Sequence, residues 1–496
     1  MSQPASSAET TYAASSASGL PATLGGPSEL PPREQLFGWG RALGGTAHVA
    51  RPSVREGVYE AIALARRHGL RLGVRGAGQS YGDAALSTGN LCLDVSRLRR
   101  VLDWDPEGGR IRVEPGVTIR ELWQYVIEDG WWPTVVPGTS FASLGGCASA
   151  NIHGKNAWKK GPIGEHIEEI EVLFPNGIVR RIDPLGDPDL FRAMIGSFGL
   201  LGIVLSVTLR LTKVHSGLLD VEALSARNLD EMLDVFLGRL DVADYLVGWV
   251  DCFAQGGSLG RGLVHQARYL QPGEDHEPHR TLRRSAQELP DTLFGLLPKS
   301  QAWLFMRALF HRPGMRAVNF AKYLLGRREM GSRYREPHAQ FAFLLDFFPG
   351  WQRAYGRGGM IQYQSFVPAE SAAAVFRQQI RLAQDRKLTP FLGVLKRHRT
   401  DRFCITHGVE GYSLALEFPV HAERRADLWA LARDFDQLVI GSGGRFYLAK
   451  DATLSRESWA PYLGEEDVQR VLAFKRQLDP EGLLETDLHR RLFQSR

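Results

Sequence analysis

The sequence contains no apolar run that approaches the roughly 20 consecutive residues needed to cross a bilayer. Its first 32 residues lack the basic start and the continuous apolar segment of a signal peptide, and they carry no twin-arginine pair. They are instead rich in Ser, Ala, Gly, Thr and Pro, a composition typical of disordered chain. We therefore expect residues 1–32 to form a disordered tail and the protein to be cytoplasmic.

Cysteine is scarce, and neither sign of charge dominates. Cys92, Cys147, Cys252 and Cys404 lie far apart without a C-x-x-C pair, which argues against a zinc site and against a disulfide framework. The net charge of +5 is spread over a long chain in which basic residues are scattered among acidic ones. Because a nucleic-acid-binding protein needs a clustered basic surface, we expect no nucleic acid partner and no metal.

Apolar sequence is abundant, with 44% hydrophobic residues in a chain of 496. Because one core rarely organises so many residues, we expect two domains. From about Gly38 helical and strand patterns alternate, which predicts an α+β protein. From Leu218 the sequence pattern changes to that of longer helices and isolated strands. We therefore expect a second domain from there to about Asp434. The final stretch, Gly441–Arg496, returns to a glycine-rich loop and helices.

Three local patterns in the first half predict particular elements. Thr118–Asp129 is a helical pattern that ends at a glycine. The runs Ile167–Phe174 and Ile178–Ile182 flank a Pro-Asn-Gly turn, which is typical of a hairpin. The β-branched run Ile203–Leu211 predicts a further strand.

The densest basic cluster lies in residues 299–328, where cationic and bulky apolar side chains alternate. Its cationic members are Lys299, Arg307, Arg312, Arg316, Lys322, Arg327 and Arg328. Such a composition suits amphipathic helices on an anionic membrane surface or over an acidic amphiphile. An ordinary pair of helices packed on its own domain fits it equally well. Both interpretations stay open for this excursion at about residues 290–330.

A glycine-rich loop, Arg75-Gly76-Ala77-Gly78-Gln79-Ser80-Tyr81-Gly82, leaves a strand predicted at Arg71–Arg75. Glycines allow successive backbone N–H groups to approach phosphate oxygens and form a concave anion site. A Rossmann fingerprint needs a helix directly after the glycines, but the next segment is short and leads into another strand. A pyrophosphate held here would therefore have no helix dipole behind it.

Two further loops of small residues precede the strand predicted at Ile203. The second loop runs from Pro137-Gly138-Thr139 through Gly145-Gly146 to Ala150-Asn151-Ile152-His153-Gly154-Lys155-Asn156, and the third contains Gly199 and Gly202. Small residues expose backbone donors along a flat surface, as a planar ring or a pyrophosphate requires. Three such loops are hard to explain by turn chemistry alone.

The order of these motifs resembles the FAD-binding domain of the vanillyl-alcohol-oxidase and p-cresol-methylhydroxylase superfamily. Within it, the chain resembles the decaprenylphosphoryl-β-D-ribose 2′-oxidase family. The similar segments are His153-Gly154-Lys155-Asn156, Gln362-Tyr363-Gln364, Val394-Leu395-Lys396 and Gly443–Asp451. The resemblance covers about residues 38–211 and 360–492, and it is weak from about 253 to 350.

This resemblance implies an FAD-binding domain built from both chain ends, with an inserted α+β substrate domain. The implied bounds are 33–215 for the FAD-binding domain, 216–435 for the substrate domain and 436–496 for the returning segment. Superfamily members that bind flavin covalently in the first loop have a histidine where this chain has Gln79, so non-covalent FAD is expected. The implied cofactor-binding residues are Arg75, Gly76, Ala77, Gly78, Gln79, Ser80, Tyr81, Gly82, Pro137, Gly138, Thr139, Gly145, Gly146, Ala150, Asn151, Ile152, Gly154, Asn156, Gly199, Gly202 and Ile203.

The resemblance also implies a catalytic centre at His153 and Lys450. Substrate contacts are implied for Tyr81, Lys155, Gln362, Gln364 and Lys396. Oxidation of a secondary carbinol sends hydride to the flavin and releases a proton, which a histidine can accept near neutral pH. A fixed cation such as Lys450 would stabilise the negative charge of the reduced flavin. A lone histidine or lysine is more often structural, but both residues lie in segments that match the family's site.

The implied activity is the oxidation of a sugar's secondary alcohol, specifically the 2′-hydroxyl of a polyprenylphosphoryl-β-D-ribose. The keto product would serve arabinosyl-lipid synthesis by epimerisation, which requires a separate NAD(P)H-dependent keto-reductase. Contact with the inner membrane surface would be peripheral. A family cysteine that inhibitors attack aligns with Ala415, so resistance to such covalent inhibitors is expected.

Two alternatives stay open at this point. An aldonolactone or sugar-alcohol oxidase, of the D-arabinono-1,4-lactone oxidase type, would use the same flavin scaffold on soluble sugars. A non-catalytic flavin- or lipid-binding protein is the other, because a fold does not guarantee a function. The presence of both His153 and Lys450 argues against the second alternative.

Overall fold

The computed structural model describes residues 29–289, 292–293 and 297–494, so residues 1–28 of the predicted tail lie outside the described residues. Helices and strands are mixed along this part of the chain, which makes it an α+β protein as predicted. None of its helices is both long and apolar enough to span a bilayer. The α-helices are α1 (Glu56–Arg67), α2 (Ile119–Val126), α3 (Leu144–Ser149), α4 (Ala157–Lys160), α5 (Pro188–Met194), α6 (Leu229–Leu237), α7 (Pro278–Thr281), α8 (Arg284–Gln287), α9 (Ala302–Arg307), α10 (Arg312–Arg328), α11 (His338–Ala342), α12 (Ala369–Asp385), α13 (Arg425–Gly441), α14 (Arg456–Leu463), α15 (Glu466–Leu478) and α16 (Asp487–Leu492).

A four-stranded sheet opens the described chain. In spatial order its strands are β1 (Arg33–Phe37), β2 (Gly44–Ala50), β4 (Leu91–Asp94) and β3 (Leu72–Arg75). The strands β2, β4 and β3 run parallel, and β1 pairs antiparallel with β2. Helix α1 buries Val58, Ile62 and Ala65 against this sheet. The first glycine loop therefore begins where β3 ends.

A five-stranded antiparallel sheet follows. Its spatial order is β5 (Val101–Asp105), β6 (Arg110–Val113), β10 (Ile203–Arg210), β8 (Ile167–Leu173) and β9 (Val179–Ile182), so it contains the predicted hairpin and the predicted strand. The start of helix α2 also agrees with the sequence. The Thr118 hydroxyl accepts from the backbone N–H of Glu121, whose carboxylate accepts in return from the Thr118 backbone N–H, and this capping box fixes the first turn. A left-handed Gly130 ends the following 3-10 turn.

The largest sheet has eight strands, all antiparallel. Its spatial order is β17 (Arg333–Pro337), β12 (Leu218–Ala226), β14 (Gly262–Tyr269), β13 (Tyr245–Val250), β19 (Leu392–His398), β20 (Gly411–Pro419), β18 (Met360–Pro368) and β21 (Arg445–Phe446). The prediction of isolated strands after Leu218 is therefore wrong. Helices or long loops separate most of these strands, so the sequence carries few of the short turn signals that reveal pairing. Helices α6, α12 and α13 pack on this sheet.

Two short ribbons complete the strand inventory of the described chain. They pair β7 (Trp131–Trp132) with β11 (Thr212–Lys213), and β15 (Thr292–Leu293) with β16 (Leu297–Pro298). The basic segment beyond them forms helices α9 and α10. Helix α10 packs on strands β12 and β14, whereas α9 packs on the 3-10 turn Trp351–Tyr355. Helix α10 buries Met315, Asn319 and Tyr323 and exposes Phe320 and Leu324, so it is amphipathic with an uncovered apolar stripe.

The C-terminal segment returns to the first sheet. The backbone N–H of Leu72 donates to Leu483 at 2.8 Å, and the backbone N–H of Glu485 donates back to Leu72 at 3.0 Å. The backbone N–H of Tyr81 donates to the carbonyl of Ala449 at 2.9 Å. These bonds bring the loop that carries Lys450 beside the first glycine loop.

Candidate active site

A cavity of about 700 Å³ lies between the three glycine loops, one face of the eight-stranded sheet and helices α9 and α10. The loops form one wall, and the sheet forms the wall opposite. Aromatic and aliphatic side chains close one end, among them Trp39, Phe310, Leu345, Trp351 and Phe391. A cavity of this size with an apolar end and a few polar groups is the usual form of a small-molecule site.

The first glycine loop lines the cavity from Gly76 to Tyr81. The backbone N–H groups of Gly78, Gln79 and Ser80 donate to no acceptor in the described part of the chain. A side chain at Gly76 would place its first carbon 2.1 Å from the Ser143 hydroxyl oxygen and displace this hydroxyl, which accepts from the Ala77 N–H at 3.0 Å. Successive unpaired N–H groups on a closely packed loop form an anion cradle.

The flanking residues Arg75 and Gly82 lie outside the cavity wall. The Arg75 guanidinium donates to the carbonyls of Ala85 and Phe37 at 3.1 and 3.2 Å, which fastens the base of the loop. A side chain at Gly82 would lie 1.8 Å from the Asp451 carbonyl, so glycine allows the two loops to touch. Direct cofactor contact by these two residues stays a prediction.

The second and third loops contribute most of their predicted residues to the wall. These are Pro137, Gly138, Thr139, Gly145, Gly146, Ala150, Ile152, Gly199 and Gly202. The predicted residues Asn151, Gly154, Asn156 and Ile203 lie behind it. Asn151 accepts from the Gly164 N–H at 3.0 Å, and Asn156 donates to the Thr134 carbonyl at 2.8 Å, so both amides brace the loop. Asn151 also adopts a left-handed backbone with φ 43°, a conformation that needs such support.

The opposite wall follows from the strand register, because paired residues on adjacent strands share one face of a sheet. Glu417 on β20 pairs with Gln362 on β18. One row further along, Ala415 pairs with Gln364 on one side and Val394 on the other. The next row pairs Ser413 with Lys396 and Phe366. The side chains of Gln362, Gln364, Lys396, Ala415 and Glu417 accordingly line the cavity.

His153 is buried between the second loop and the sheet. Its Nε2 lies 3.3 Å from the Gln364 amide nitrogen, which in turn donates to the Ser413 hydroxyl at 3.1 Å. Its Nδ1 has no hydrogen-bond partner among the described residues. Burial, reinforced by the nearby charge of Lys396, holds the pKa of His153 well below its ordinary value. The ring is therefore neutral at physiological pH, the state in which a histidine accepts a proton.

Lys450 lies on the other side of the cavity with its Nζ 3.7 Å from the ring centroid of Tyr81. Burial and the charge of Lys396 lower the pKa of Lys450, whereas the carboxylate of Glu417 raises it. Glu417 is fully buried and accepts from the Gln362 amide at 2.6 Å and from the Tyr355 hydroxyl at 3.2 Å. The lysine and the carboxylate thus belong to one electrostatic unit.

Four lysines line the same cavity: Lys155, Lys322, Lys396 and Lys450. Lys155 donates to the Phe341 carbonyl, and burial lowers its pKa to about 7. Burial lowers the pKa of Lys396 to about 8. Glu417 is the sole carboxylate among the described residues of the wall, so the cavity carries an excess of cationic groups and suits an anionic ligand.

Comparison with known proteins identifies the family. A sequence model of the FAD binding domain matches residues 46–183, which include the first two glycine loops. Decaprenylphosphoryl-β-D-ribose oxidase of Mycolicibacterium smegmatis is 30% identical over 471 residues, which cover 92% of this chain and 97% of that protein. The chain belongs to the decaprenylphosphoryl-β-D-ribose oxidase family. It is an FAD-dependent oxidoreductase that acts on CH–OH groups.

Other relatives of this oxidase family member are less informative. An uncharacterized protein of Streptomyces coelicolor is 31% identical over 385 residues, which cover 76% of this chain and all of that protein. A putative D-arabinono-1,4-lactone oxidase of Neurospora crassa is 28% identical over 169 residues, which cover 34% of this chain and 30% of that protein. The similarity to the lactone oxidase is thus confined to about a third of each chain.

The cavity fits the flavin that the family uses. The unpaired N–H groups at Gly78, Gln79 and Ser80 offer donors for a pyrophosphate, and the small residues of the second loop leave room for a planar ring. Gln79 replaces the histidine of covalent flavoproteins and offers no comparable nucleophile.

Several residues in or next to the oxidase site were not predicted from the sequence. They are Glu417, Tyr355, Ser413, His398 and His265. Glu417 and Ser413 alternate with buried apolar residues along β20. A charged residue in such a strand is the signal that could have found Glu417, whereas Ser413 carries no comparable signal. Tyr355 lies just before the second segment that resembles the family, in a 3-10 turn that only the tertiary fold brings to the cavity.

Proposed function

We propose that this oxidoreductase oxidises the 2′-hydroxyl of a polyprenylphosphoryl-β-D-ribose to a keto intermediate, from which arabinosyl lipid is made by epimerisation. The observation that carries this proposal is a single cavity with two kinds of lining. The wall contains His153 and the lysines Lys155, Lys396 and Lys450, and it also contains a cluster of aromatic and aliphatic side chains. A sugar phosphate suits the cationic groups and a prenyl tail suits the apolar cluster.

FAD would be held non-covalently by the three glycine loops, and when bound it would supply the hydride acceptor. His153 would take the hydroxyl proton, because it is buried, neutral and adjacent to the sheet wall. Lys450 would stabilise negative charge that develops on the cofactor. Tyr81, Gln362 and Gln364 would orient the sugar, and Lys155 and Lys396 would bind the phosphate.

The domain arrangement is part of the proposal. We infer that residues 33–215 and 436–496 together form the FAD-binding domain, with residues 216–435 inserted as the substrate domain. The hydrogen bonds of Leu72 with Leu483 and Glu485 support this inference, because they join the C-terminal segment to the first sheet. The eight-stranded sheet supports it as well, since seven of its strands lie between residues 218 and 419.

The tail of a polyprenyl substrate needs an exit, and the apolar end of the cavity offers one. Leu309 and Leu344 both line the cavity and are about half exposed, at 48% and 51%, so the wall continues to the surface there. The exposed side chains of Phe305, Phe320 and Leu324 lie on helices α9 and α10. We propose that this surface, with its arginines, contacts an anionic membrane peripherally. The keto product would then pass to a separate NAD(P)H-dependent reductase.

The decisive experiment is anaerobic mixing of the FAD-loaded protein with farnesylphosphoryl-β-D-ribose while the oxidised-flavin band near about 450 nm is followed. We expect the band to bleach. We expect Lys450→Ala to slow bleaching by about 10²-fold to 10³-fold with FAD still bound, because it removes a preorganised cation. Lys160→Ala, a lysine outside the cavity wall, is the matched control and should bleach at the wild-type rate.

The other outcomes separate the alternatives. A flavin that is reduced by aldonolactones or free sugar alcohols but not by the prenyl substrate would favour the lactone oxidase. A protein that refuses FAD altogether would contradict the assignment of the glycine loops.

A further inference from the structure

Glu417 occupies a position at which a charged side chain is costly. It lies in the middle of β20, fully buried, between Gln362 on β18 and Leu392 on β19. Burying an uncompensated carboxylate costs several kcal/mol, so such groups persist where they are paired or used. Within the described chain, no Lys or Arg nitrogen lies within 4 Å of this carboxylate. No closed ion pair therefore neutralises it: burial raises the pKa of Glu417 to about 7, and the charge of Lys450 is the largest effect that opposes this rise.

The groups around it are drawn from four different elements. The Gln362 amide on β18 and the Tyr355 hydroxyl in the 3-10 turn before β18 donate to the carboxylate. Tyr81 of the first glycine loop and Lys450 of the C-terminal loop line the same cavity as Glu417, with the Lys450 Nζ 3.7 Å from the Tyr81 ring centroid, and the charges of Lys450 and Glu417 act on each other. Lys396 and Lys450 repel each other, and burial disfavours the charge of both. Of the charged groups that act on Lys450, Glu417 is the one that favours its ammonium form.

We propose that Glu417 is a positioning residue that keeps Lys450 protonated and fixed in the site, with the Tyr355 hydroxyl and the Gln362 amide holding the carboxylate in place. This inference rests on the proposed role of Lys450. The carboxylate acts through the lysine and transfers no proton itself. Without the carboxylate, burial and repulsion by Lys396 act on Lys450 unopposed. The lysine therefore loses its proton at a lower pH.

Sulfite is a suitable probe because it adds to N5 of oxidised flavin and gives an anionic adduct, which a nearby cation stabilises without catalytic turnover. The protonation of sulfite itself is the same for all variants. The ratio of variant Kd to wild-type Kd therefore reports only the effect of the protein on adduct stability. Burial lowers the pKa of Lys450 to about 7 in the native protein. If Glu417→Gln lowers it by about one further unit, the ratio should be about two at pH 6 and rise about fivefold by pH 8.5. At pH 6 the lysine is mostly charged in the native protein and about half charged in the variant, which is why the ratio there is small.

Two further variants allow the proposal to be tested even if Glu417→Gln folds poorly. Glu417→Asp retains the carboxylate and should give a ratio that is independent of pH. Asp436→Asn is the matched control: Asp436 is also fully buried and accepts from a tyrosine, Tyr363 at 2.9 Å, but it lies outside the cavity wall. Its ratio should also be independent of pH.

Each outcome decides between two statements. A Glu417→Gln ratio that does not change with pH would overturn the proposal, because a purely structural role shifts affinity equally at both pH values. If Lys450→Met leaves sulfite affinity unchanged, the proposed role of Lys450 fails first. A weaker affinity in Lys450→Met with a pH-independent ratio in Glu417→Gln would retain that role and reject the part assigned to Glu417.

Discussion

At the scale of single residues, Ala415 leads to a test of the expected resistance to covalent inhibitors. It lies on the cavity wall between Gln364 and Val394. The sequence resemblance predicts that this position aligns with the inhibitor-reactive cysteine. We expect the native protein to resist cavity-directed thiol reagents and Ala415→Cys to gain a single modification, measured as one added mass by intact mass spectrometry. The physical reason is that the variant thiol would lie on the same sheet face as Lys396, one row away on the neighbouring strand, and a nearby cation favours the thiolate.

The chain carries its own control for this prediction. Cys147 also lines the cavity, but burial raises its pKa to about 12, so it should remain a thiol and stay unmodified. The other three cysteines are buried and unpaired. Modification of the native protein at Cys147 would show that burial does not protect thiols in this cavity, and the prediction would fail.

Residues in short motifs were predictable, and residues in apolar strands were not. Gln362, Gln364, Lys396 and Lys450 stand in segments that resemble the family, and the fold brings all four to one cavity. Glu417 stands in a strand of nine residues whose first eight are buried, so its charge marks it as unusual, but no neighbouring motif indicates which groups it contacts. The position of Glu417 on the cavity wall depends on strand register, which a single sequence does not specify.

At the scale of elements, helices α9 and α10 lead to a test of membrane contact. We expect the protein to bind vesicles that contain anionic lipid and expect Phe320→Ser with Leu324→Ser to weaken that binding roughly tenfold. The two side chains are 50% and 42% exposed in the protein alone, and inserting them into lipid removes apolar area from water. Cosedimentation at several salt concentrations measures the effect, and high salt should weaken it.

A matched variant removes equal apolar surface elsewhere. Leu237→Ser with Val242→Ser changes two exposed side chains outside the cavity and outside both helices, and vesicle binding should not change. Equal loss in both double variants would mean that general hydrophobicity, and not this surface, drives binding. Equal affinity for neutral and anionic vesicles would contradict the role of the arginines.

At the scale of elements, local sequence patterns predicted some structures and not others. Helix α2 and the hairpin of β8 and β9 were predictable because a capping box and a Pro-Asn-Gly turn act within a few residues. The eight-stranded sheet was not predictable because its pairings cross long insertions. Strands β13 and β19, for example, are neighbours although about 140 residues separate them in the chain.

At the scale of the whole molecule, the contacts of Arg491 join the two ends of the chain. Its guanidinium donates to Asp83, after the first glycine loop, at 2.8 and 2.7 Å and to Asp451, beside Lys450, at 2.8 Å. The side chains of both aspartates are only 9% exposed. Removing the shared cation therefore leaves two nearly buried carboxylates without their partner, which is far more costly than losing a surface ion pair.

We expect Arg491→Ala to lower the free energy of unfolding by about 3–5 kcal/mol and to weaken FAD binding, because it releases the first loop and the Lys450 loop together. Denaturant unfolding with and without added FAD measures both effects. Arg470→Ala is the control, since Arg470 pairs with the exposed Glu466 and Asp467 and should cost about 0–1 kcal/mol without affecting the cofactor. If Arg491→Ala destabilises the protein but leaves FAD affinity intact, the C-terminal segment supports the fold without shaping the cofactor site.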